Sequence, residues 1–396
     1  MTRFSVSFLG CKVSHTDAQA VREALLRDGH EECSEGGEVA VVNSCCVTHE
    51  AVRKSRRAAA RAARTHASVY VTGCAANLGG SALAGLPENV TVVPHRSEAA
   101  AVFVAGDVGA IGCVQADARL ERTRAFVKIQ DGCSFGCRFC VIPLVRGGTR
   151  SRSAAAVLAE VRRRVAQGHR EVVLSGVNLG LFCDRESGTK LAGLVREAGA
   201  VSGLARLRLS SIEVNHVGPE LVAALRETPT VGRHLHVPLQ SGDDGVLRAM
   251  GRSYSVSTYE RRLEPLGDFN LTADVIVGFP GEDERAFGRT LAAVARAGIT
   301  KVHVFPYSPR PGTATAAADS VPAAVKRDRS ARLRAASRAA CLAHWQAKVG
   351  REDAVLIDRP GRGYGDDYSP WLLEGPVGEL VRARGNSVSE EGIHAV

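Results

Sequence analysis

The sequence predicts a three-part α/β protein: an N-terminal parallel α/β sheet domain, a central series of βα units, and a small C-terminal all-β module. Its 396 residues exceed what one ordinary hydrophobic core holds. Short β-rich runs alternate with segments of helical composition over most of the chain, which is typical of parallel sheets. The boundaries that we predict are residues 1–116, 119–348 and 349–396.

The N-terminal domain contains three β-rich runs, and each ends in a turn that carries a cysteine. The runs are Phe4–Leu9, Val39–Val42 and Val69–Thr72, and the cysteines are Cys11, Cys45 and Cys74. Open parallel sheets place their ligands outside the carboxyl ends of the strands. The three thiols are therefore expected to meet at one edge of the sheet.

The central series contains six β-rich runs, with enough residues between them for one helix each. They are Ala125–Gln130, Glu171–Ser175, Ala205–Leu209, His234–Leu239, Leu271–Val277 and Lys301–Phe305. This repetition predicts a curved parallel sheet, either a partial (β/α) barrel or a doubly wound sheet, and the spacing does not choose between them. The small and polar residues 106–119 before the series are the predicted linker.

An arginine-rich helix and a β-rich module complete the chain. The segment from Val321 to about Lys348 has helical composition, and Pro322 opens it. Beyond it, Ala354–Ile357, Trp371–Leu373 and Gly378–Val381 are short β-type runs separated by glycine and proline. They predict the small all-β module.

The composition excludes a membrane protein and suits a polyanionic partner. No apolar run reaches the ~18 residues of a membrane span, and the apolar stretch before Cys11 is too short for a secretory signal, so we expect a cytoplasmic protein. Lys and Arg exceed Asp and Glu by 51 − 42 = +9, which favours nucleic acid. A reducing cytosol directs the 11 cysteines toward metal binding or catalysis.

The strongest chemical motif is CxxxCxxC, formed by Cys133, Cys137 and Cys140 directly after a predicted strand. Three thiolates at this spacing can bind three irons of a 4Fe-4S cluster and leave the fourth iron open. Structural zinc is the weaker alternative, because it needs a fourth nearby Cys or His and the next cysteine is Cys183.

This motif, with Phe139 before its last cysteine and a series of βα units behind it, resembles the radical S-adenosylmethionine (radical-SAM) superfamily. The resemblance implies a partial barrel of radical-SAM type with S-adenosylmethionine as cofactor at the open iron. It also implies reductive cleavage of that cofactor to methionine and a 5′-deoxyadenosyl radical.

The N-terminal cysteine turns are similar, in order and spacing, to the first-domain motifs of the methylthiotransferases. They read Leu9-Gly10-Cys11-Lys12-Val13, Asn43-Ser44-Cys45-Cys46 and Val71-Thr72-Gly73-Cys74. In that family the three thiolates hold a second, auxiliary 4Fe-4S cluster that delivers sulfur. Ser14 stands where the family usually has Asn, and Asp17 where it usually has Glu. Cys46 is an extra thiol, and register makes Cys45 the expected ligand.

Later segments at predicted strand ends match the same family, and their polar side chains and glycines are expected to face the cofactor. The expected cofactor contacts are Phe139, Ser175, Gly176, Asn178, Ser211, Glu213, Gln240 and Gly278. The C-terminal segment resembles a short TRAM module, an RNA-binding β-barrel, through residues 363–368 and 378–381.

Within the family, Gly10-Cys11-Lys12-Val13 is similar to the enzymes that methylthiolate C2 of N6-threonylcarbamoyladenosine next to the anticodon of tRNA. The C2–H bond of adenine is unactivated and C2 carries no leaving group, so acid–base or nucleophilic catalysis cannot replace the hydrogen. This reaction therefore requires a radical. The resemblance implies a tRNA substrate, a reductant protein of flavodoxin or ferredoxin type, and a sulfur donor.

Two alternatives stay open at this point. One is a methylthiotransferase acting on isopentenyladenosine in tRNA or on an aspartate of a ribosomal protein. The other is a non-catalytic iron–sulfur regulator that binds RNA.

A single-stranded anticodon loop is expected to be bound by phosphate contacts and base stacking. Two predicted helices carry candidate phosphate contacts, namely Arg53, Lys54, Arg56 and Arg57 on one and Arg327, Arg329 and Arg332 on the other. An ordinary solvated helix face explains either set equally well.

Overall fold

The computed structural model describes residues 1–33, 36–94 and 123–395. The predicted linker at 106–119 lies outside these residues. Among the described helices, none has both the length and the hydropathy that crossing a lipid bilayer demands.

The N-terminal domain is a five-stranded, fully parallel sheet in the order β2-β1-β3-β4-β5. Its strands are β1 Arg3–Phe8, β2 Glu31–Glu32, β3 Val39–Ser44, β4 Ser68–Gly73 and β5 Val90–Val92. Its helices are α1 Lys12–Arg27, α2 His49–Ala62 and α3 Cys74–Leu78. The three strands predicted from sequence are confirmed to within one or two residues.

The register of this sheet aligns the ends of its three central strands. Phe8 of β1 lies opposite Asn43 of β3, and Ser44 of β3 lies opposite Gly73 of β4. Because the strands are parallel and end at the same level, the turns that follow them meet at one edge. That edge carries the three predicted cysteines.

The central domain places its six barrel strands in sequence order. These strands are β6 Arg124–Lys128, β9 Glu171–Ser175, β10 Arg206–Leu209, β11 His234–His236, β12 Asn270–Val277 and β13 Ile299–Pro306. They form two parallel three-stranded sheets, β6-β9-β10 and β11-β12-β13, and parallel bridges from Leu207 to Val231 and from Ser211 to His236 join the two. An order without reversal is that of a partial barrel, whereas a doubly wound sheet reverses at a switch point.

Helices cover the outer face of this barrel. They are α4 Ile142–Arg146, α5 Ala154–Ala166, α6 Leu191–Gly199, α7 Pro219–Glu227, α8 Asp244–Ala249, α9 Val256–Leu263 and α10 Glu284–Arg296. Strand residues such as Val127, Leu207 and Val275 are fully buried in the core beneath these helices. Side chains alternate across a strand, so the intervening residues face the inside of the barrel.

The inside of the barrel, which we call the lumen, is polar and closes around Tyr368. Its ring lies 5.3 Å from the guanidinium of Arg124 on β6, 4.8 Å from that of Arg208 on β10, and 5.1 Å from the ring of His234 on β11. Side chains from three strands can meet one ring only if the sheet curves around it. Arg124 and His234 are the first residues of their strands, so Tyr368 closes the amino end of the lumen.

The C-terminal module is a closed five-stranded barrel, reached through the long helix α11, Ala323–Gln346. Its strands are β14 Glu352–Arg359, β15 Arg362–Tyr364, β16 Pro370–Leu372, β17 Leu380–Ser389 and β18 Gly392–Ala395. The fully buried Trp371 and Ile393 form its core with Val355 and Ile357. Closure leaves no free sheet edge.

Candidate active site

The CxxxCxxC loop leaves the barrel at the carboxyl end of its first strand. It is closed by a short antiparallel ribbon of β7, Gln130–Asp131, and β8, Arg150–Ser151. Gly132 has a φ of +69°, and a Cβ there would stand 2.1 Å from the carbonyl oxygen of Gly148. Only glycine allows this approach, which lets the backbone N–H of Cys133 donate to the Gly147 carbonyl at 3.0 Å.

The three thiols of this loop influence one another's ionisation. Burial, together with the Cys137 and Cys133 thiols, raises the pKa of Cys140 to about 12. Burial and Cys137 also raise the pKa of Cys133. Burial and mutual repulsion disfavour the thiolates here, and iron ions would supply positive charge that stabilises them.

Arg252 is a member of this site that the motif search missed. Its guanidinium donates to the Cys137 sulfur at 3.1 Å and lies 3.7 Å from the Glu213 carboxylate. It also packs 5.1 Å from the ring of Tyr254. Arg252 therefore holds the Cys137 sulfur in place and puts a positive charge beside it. A lone arginine in an arginine-rich sequence gave no signal for this contact.

The N-terminal cysteines lie together at the edge of the first sheet. Cys11 is the N-cap of α1, and Cys74 is the first residue of α3. Gly10 has a φ of +116°, and a Cβ there would stand 3.1 Å from the Cys45 sulfur. The turn before Cys11 therefore packs directly against Cys45.

The adjacent Cys45 and Cys46 have different neighbours. Burial and the Cys74 and Cys11 thiols raise the pKa of Cys45 to about 11. The Cys46 thiol is fully buried and hydrogen-bonds to Cys74, which raises the pKa of Cys46 and lowers that of Cys74. Cys45 thus lies within the electrostatic range of both other expected ligands, and Cys46 contacts one of them.

A nearly buried ion-pair network joins the two cysteine sites. Asp17 of α1 pairs with Lys128 at 2.6 Å and with Arg146 at 2.8 Å. Arg146 also pairs with Asp131 at 3.0 Å, and its Nε donates to the Cys74 sulfur at 3.2 Å. Asp131 precedes the CxxxCxxC loop and Arg146 follows it, so one arginine links this loop to the N-terminal triplet.

Several expected cofactor contacts converge at the carboxyl ends of the first strands. Ser175 is the buried last residue of β9, and the backbone N–H of Gly176 donates to Ser210 at 3.3 Å. The Gln130 side chain accepts from the Asn178 N–H at 2.9 Å and donates to the Gly132 carbonyl. Gln130, which the sequence analysis did not single out, therefore fixes the Asn178 loop against the cysteine loop.

The remaining expected contacts are more dispersed. The Glu213 carboxylate accepts a hydrogen bond from the Asn215 N–H at 2.9 Å. Ser211 forms a parallel β-bridge with His236, and the ring of Phe139 lies 6.2 Å from that of Phe279. Gln240 has a φ of +66°, a strained conformation that often accompanies functional sites. Gly278 packs closely against the Lys326 side chain of α11, where a Cβ would stand 2.4 Å from a side-chain carbon.

The thiol triplets match the donor set of iron–sulfur clusters. Among the described residues, no three Cys, His, Asp or Glu side chains converge closely enough to hold a single metal ion. A 4Fe-4S cluster makes a different demand, since each thiolate binds its own iron and the sulfurs need not converge on one point. Arg252 and Arg146 add one charged donor to each triplet.

One expected RNA contact is corrected. Arg329 is buried and pairs with Glu282 at 2.9 Å, so it does not present its charge to a phosphate. Residues 363–368, which carry the resemblance to an RNA-binding module, contact the barrel. Arg208 donates to the carbonyl oxygens of Gly365 and Asp366 at 2.7 and 2.8 Å.

The basic side chains of α2 are placed at the surface, as a contact with RNA phosphates would require. Arg53, Lys54, Arg57 and Arg61 are exposed, and Arg56 is half-buried. Arg53 forms an ion pair with Glu50 on the same helix. The helix begins beside the turn that holds Cys45 and Cys46.

Comparisons with known proteins cover both cysteine domains. The model of the Radical SAM superfamily matches residues 127–294, and that of Uncharacterized protein family UPF0004 matches residues 3–94. The chain is 34% identical to threonylcarbamoyladenosine tRNA methylthiotransferase MtaB of Thermotoga maritima, over 99% of this chain and 96% of that protein. It is 33% identical to tRNA-2-methylthio-N(6)-dimethylallyladenosine synthase of Cereibacter sphaeroides, over 95% and 94%.

Among solved structures, the fold is similar to that of the radical S-adenosylmethionine methyltransferase TsrM from Kitasatospora setae. The TM-score is 0.58 at 13% sequence identity, over 79% of this chain and 75% of that one. This likeness is one of fold.

Proposed function

The chain belongs to the radical-SAM methylthiotransferases of tRNA, and from this premise we propose that it methylthiolates C2 of N6-threonylcarbamoyladenosine next to the anticodon. The observation that carries the proposal is two cysteine triplets joined by one buried ion-pair network. The choice of nucleoside is supported by full-length similarity to the Thermotoga maritima enzyme named for it.

We assign Cys133, Cys137 and Cys140 to the cluster that binds S-adenosylmethionine, and Cys11, Cys45 and Cys74 to the auxiliary cluster. When bound, these groups would supply a carbon-centred radical, a sulfur atom and a methyl group. The expected cofactor contacts remain part of this proposal, namely Phe139, Ser175, Gly176, Asn178, Ser211, Glu213, Gln240 and Gly278.

The chain's own task is to hold the adenine between the two triplets. Arg146 and Asp17 fix the edge of the first sheet against the cysteine loop, so the distance between the triplets is set by buried charges rather than by a flexible hinge. The barrel and the first sheet together limit the access of water to the base.

The same proposal implies further partners. A polyanionic tRNA suits the net charge of +9. The exposed arginines of α2 stand on a helix that begins three residues after Cys46, and they can contact phosphates. Reductive cleavage of the cofactor needs an electron from a protein of flavodoxin or ferredoxin type, and each turnover needs a sulfur donor. A tRNA substrate places the enzyme in the cytoplasm.

Nucleoside analysis of tRNA from a strain that lacks this gene tests the choice of substrate. The proposal predicts loss of the methylthio group from threonylcarbamoyladenosine while methylthiolated isopentenyladenosine is unchanged. The opposite pattern would support the second candidate, an isopentenyladenosine enzyme, which the similarity to the Cereibacter sphaeroides protein favours.

A non-catalytic RNA-binding regulator makes a different prediction. It would bind iron and RNA but would not cleave S-adenosylmethionine. Incubation of the anaerobically reconstituted protein with dithionite and the cofactor distinguishes the two, because the enzyme forms 5′-deoxyadenosine and the regulator forms none.

A further inference from the structure

The charges in the lumen are largely paired with one another. Glu171, at the start of β9, lies 3.3 Å from Arg206 and 3.0 Å from Arg208. Arg124 pairs with Asp358 of the C-terminal module at 3.1 Å. These arginines already have carboxylate or carbonyl partners, so they are not free to bind a ligand.

Lys12 differs from these arginines. It begins α1, one residue after Cys11, and its ammonium reaches into the lumen to lie 5.9 Å from the centre of the Tyr368 ring. Within the described part of the chain, no carboxylate lies at ion-pairing distance from this ammonium and no acceptor hydrogen-bonds to it. Lys12 is half-buried, and Glu171 attracts its ammonium only from beyond ion-pairing distance. A cation withdrawn from water without a direct partner is costly, and an anionic ligand would offset that cost.

The lumen is open on the side of β13, so a ligand can enter it. Lys301, His303 and Phe305 lie on the lumen face of this strand and are exposed, whereas Val302 between them is buried. His236 lines the same cavity, 5.5 Å from the ring of His303 and 3.3 Å from Asp274. The opening thus offers the aromatic rings of His303 and Phe305, hydrogen-bonding imidazoles and the Lys301 ammonium to a ligand that enters.

The chemistry of the substrate identifies an anion for this cation. In N6-threonylcarbamoyladenosine, the carbon that carries the substituent and the reacting C2 flank the same ring nitrogen. The threonyl carboxylate is joined to the first of these carbons through a chain of four atoms. With the base between the two triplets, this chain is long enough to extend into the lumen toward Lys12, which follows Cys11 in the chain. An RNA phosphate is a poorer fit, because the backbone would have to follow the base into the lumen.

We propose that Lys12 and the lumen around it form a subsite for the carboxylate of the threonylcarbamoyl group, with Lys12 as the residue that selects this nucleoside. The proposal rests on the proposed function. It extends that function by naming the charge that distinguishes the substrate from adenosines with an uncharged substituent.

The test compares two fluorescently labelled anticodon stem-loop RNAs, one with the threonyl carboxylate free and one with it as its methyl ester. Fluorescence anisotropy measures the affinity of each for the reconstituted protein. The wild type is expected to bind the free acid about tenfold more tightly than the ester, as befits a hydrogen bond to a charged group.

Three variants assign this preference. Lys12→Gln should bind the acid and the ester alike, and Lys12→Arg should keep most of the preference. Lys54→Gln removes an exposed lysine of α2 and should weaken both RNAs equally, which controls for general attraction to phosphates. Iron content is measured on each variant, because Lys12 adjoins Cys11.

Equal affinity of the wild type for acid and ester would overturn the subsite, and so would an unchanged preference in Lys12→Gln. The ester comparison on the wild type needs no substitution, so it decides even if Lys12→Gln fails to bind iron. The proposed function fails separately, if the wild type methylthiolates an isopentenyladenosine RNA and leaves the threonylcarbamoyladenosine RNA unmodified.

Discussion

Arg146 contacts three parts of the site, namely Asp17 of α1, Asp131 before the cysteine loop and the sulfur of Cys74. Removal of one partner from a buried ion pair leaves uncompensated charge, at a cost of about 3–5 kcal/mol. Arg146→Met is therefore expected to lower the free energy of unfolding by that amount in urea titrations. Arg226→Met, which breaks the exposed pair with Asp268, is the control and should cost about 0–1 kcal/mol.

If Arg146→Met were as stable as the control, the network would not hold the domains together.

The sequence analysis identified the cysteines because their spacing along the chain is itself a recognisable motif. It missed Arg146 and Arg252, since each acts through a contact between residues that are distant in the chain.

Cys45 and Cys46 give a second prediction at the residue scale. Cys45 packs against Gly10 and lies near both other expected ligands, so Cys45→Ser should lose the auxiliary cluster. Cys46→Ser should retain both clusters and most activity, since its hydrogen bond to Cys74 can be replaced by a hydroxyl. Iron content and methylthiolated product are measured side by side, and the reverse pattern would make Cys46 the ligand.

At the scale of elements, Asp367 attaches the C-terminal barrel to α11. Burial would raise the pKa of Asp367, but His344 at 2.6 Å and Lys348 at 2.9 Å hold it well below its usual range. Asp353 shares Lys348, and His234 faces Asp367 from the lumen.

A lowered carboxyl pKa stabilises the folded state above the unfolded pKa, and this stability is lost as pH falls. The wild type should therefore lose stability below about pH 4 more steeply than Asp367→Asn does. Urea unfolding midpoints measured from pH 6 downward check this. Parallel pH profiles would show that the pairing contributes nothing.

Helix α2 gives the prediction about RNA. Replacing Arg57 and Arg61 by Glu should weaken tRNA binding and make log K fall less steeply with log salt, because fewer phosphates are neutralised. The same reversal at Arg226 on α7 is the control and should change neither value much. Equal losses in both would mean that the attraction follows net charge and not this face.

The elements were predicted better than their contacts. All six barrel strands were found because buried β-rich runs alternate with helices, yet spacing could not choose between two sheet topologies, which depend on pairing between strands. Arg329 resembled a surface residue in the sequence, and only tertiary packing against Glu282 buries it.

At the scale of the whole molecule, the two triplets are expected to divide the work. Replacing Cys133, Cys137 and Cys140 by Ala should remove one cluster and abolish cleavage of S-adenosylmethionine. Replacing Cys11, Cys45 and Cys74 should leave some 5′-deoxyadenosine formation but no methylthiolated RNA. Iron analysis and chromatography of the products check both, and product from the second variant would exclude the auxiliary site as the sulfur source.

The most direct test of the account is mass spectrometry of nucleosides from tRNA treated with the anaerobically reconstituted protein, S-adenosylmethionine, a sulfur source and dithionite. The tRNA carries N6-threonylcarbamoyladenosine next to the anticodon. We expect this nucleoside to be converted to its 2-methylthio derivative. Cofactor cleavage without that product, or methylthiolation of isopentenyladenosine in its place, would contradict the account.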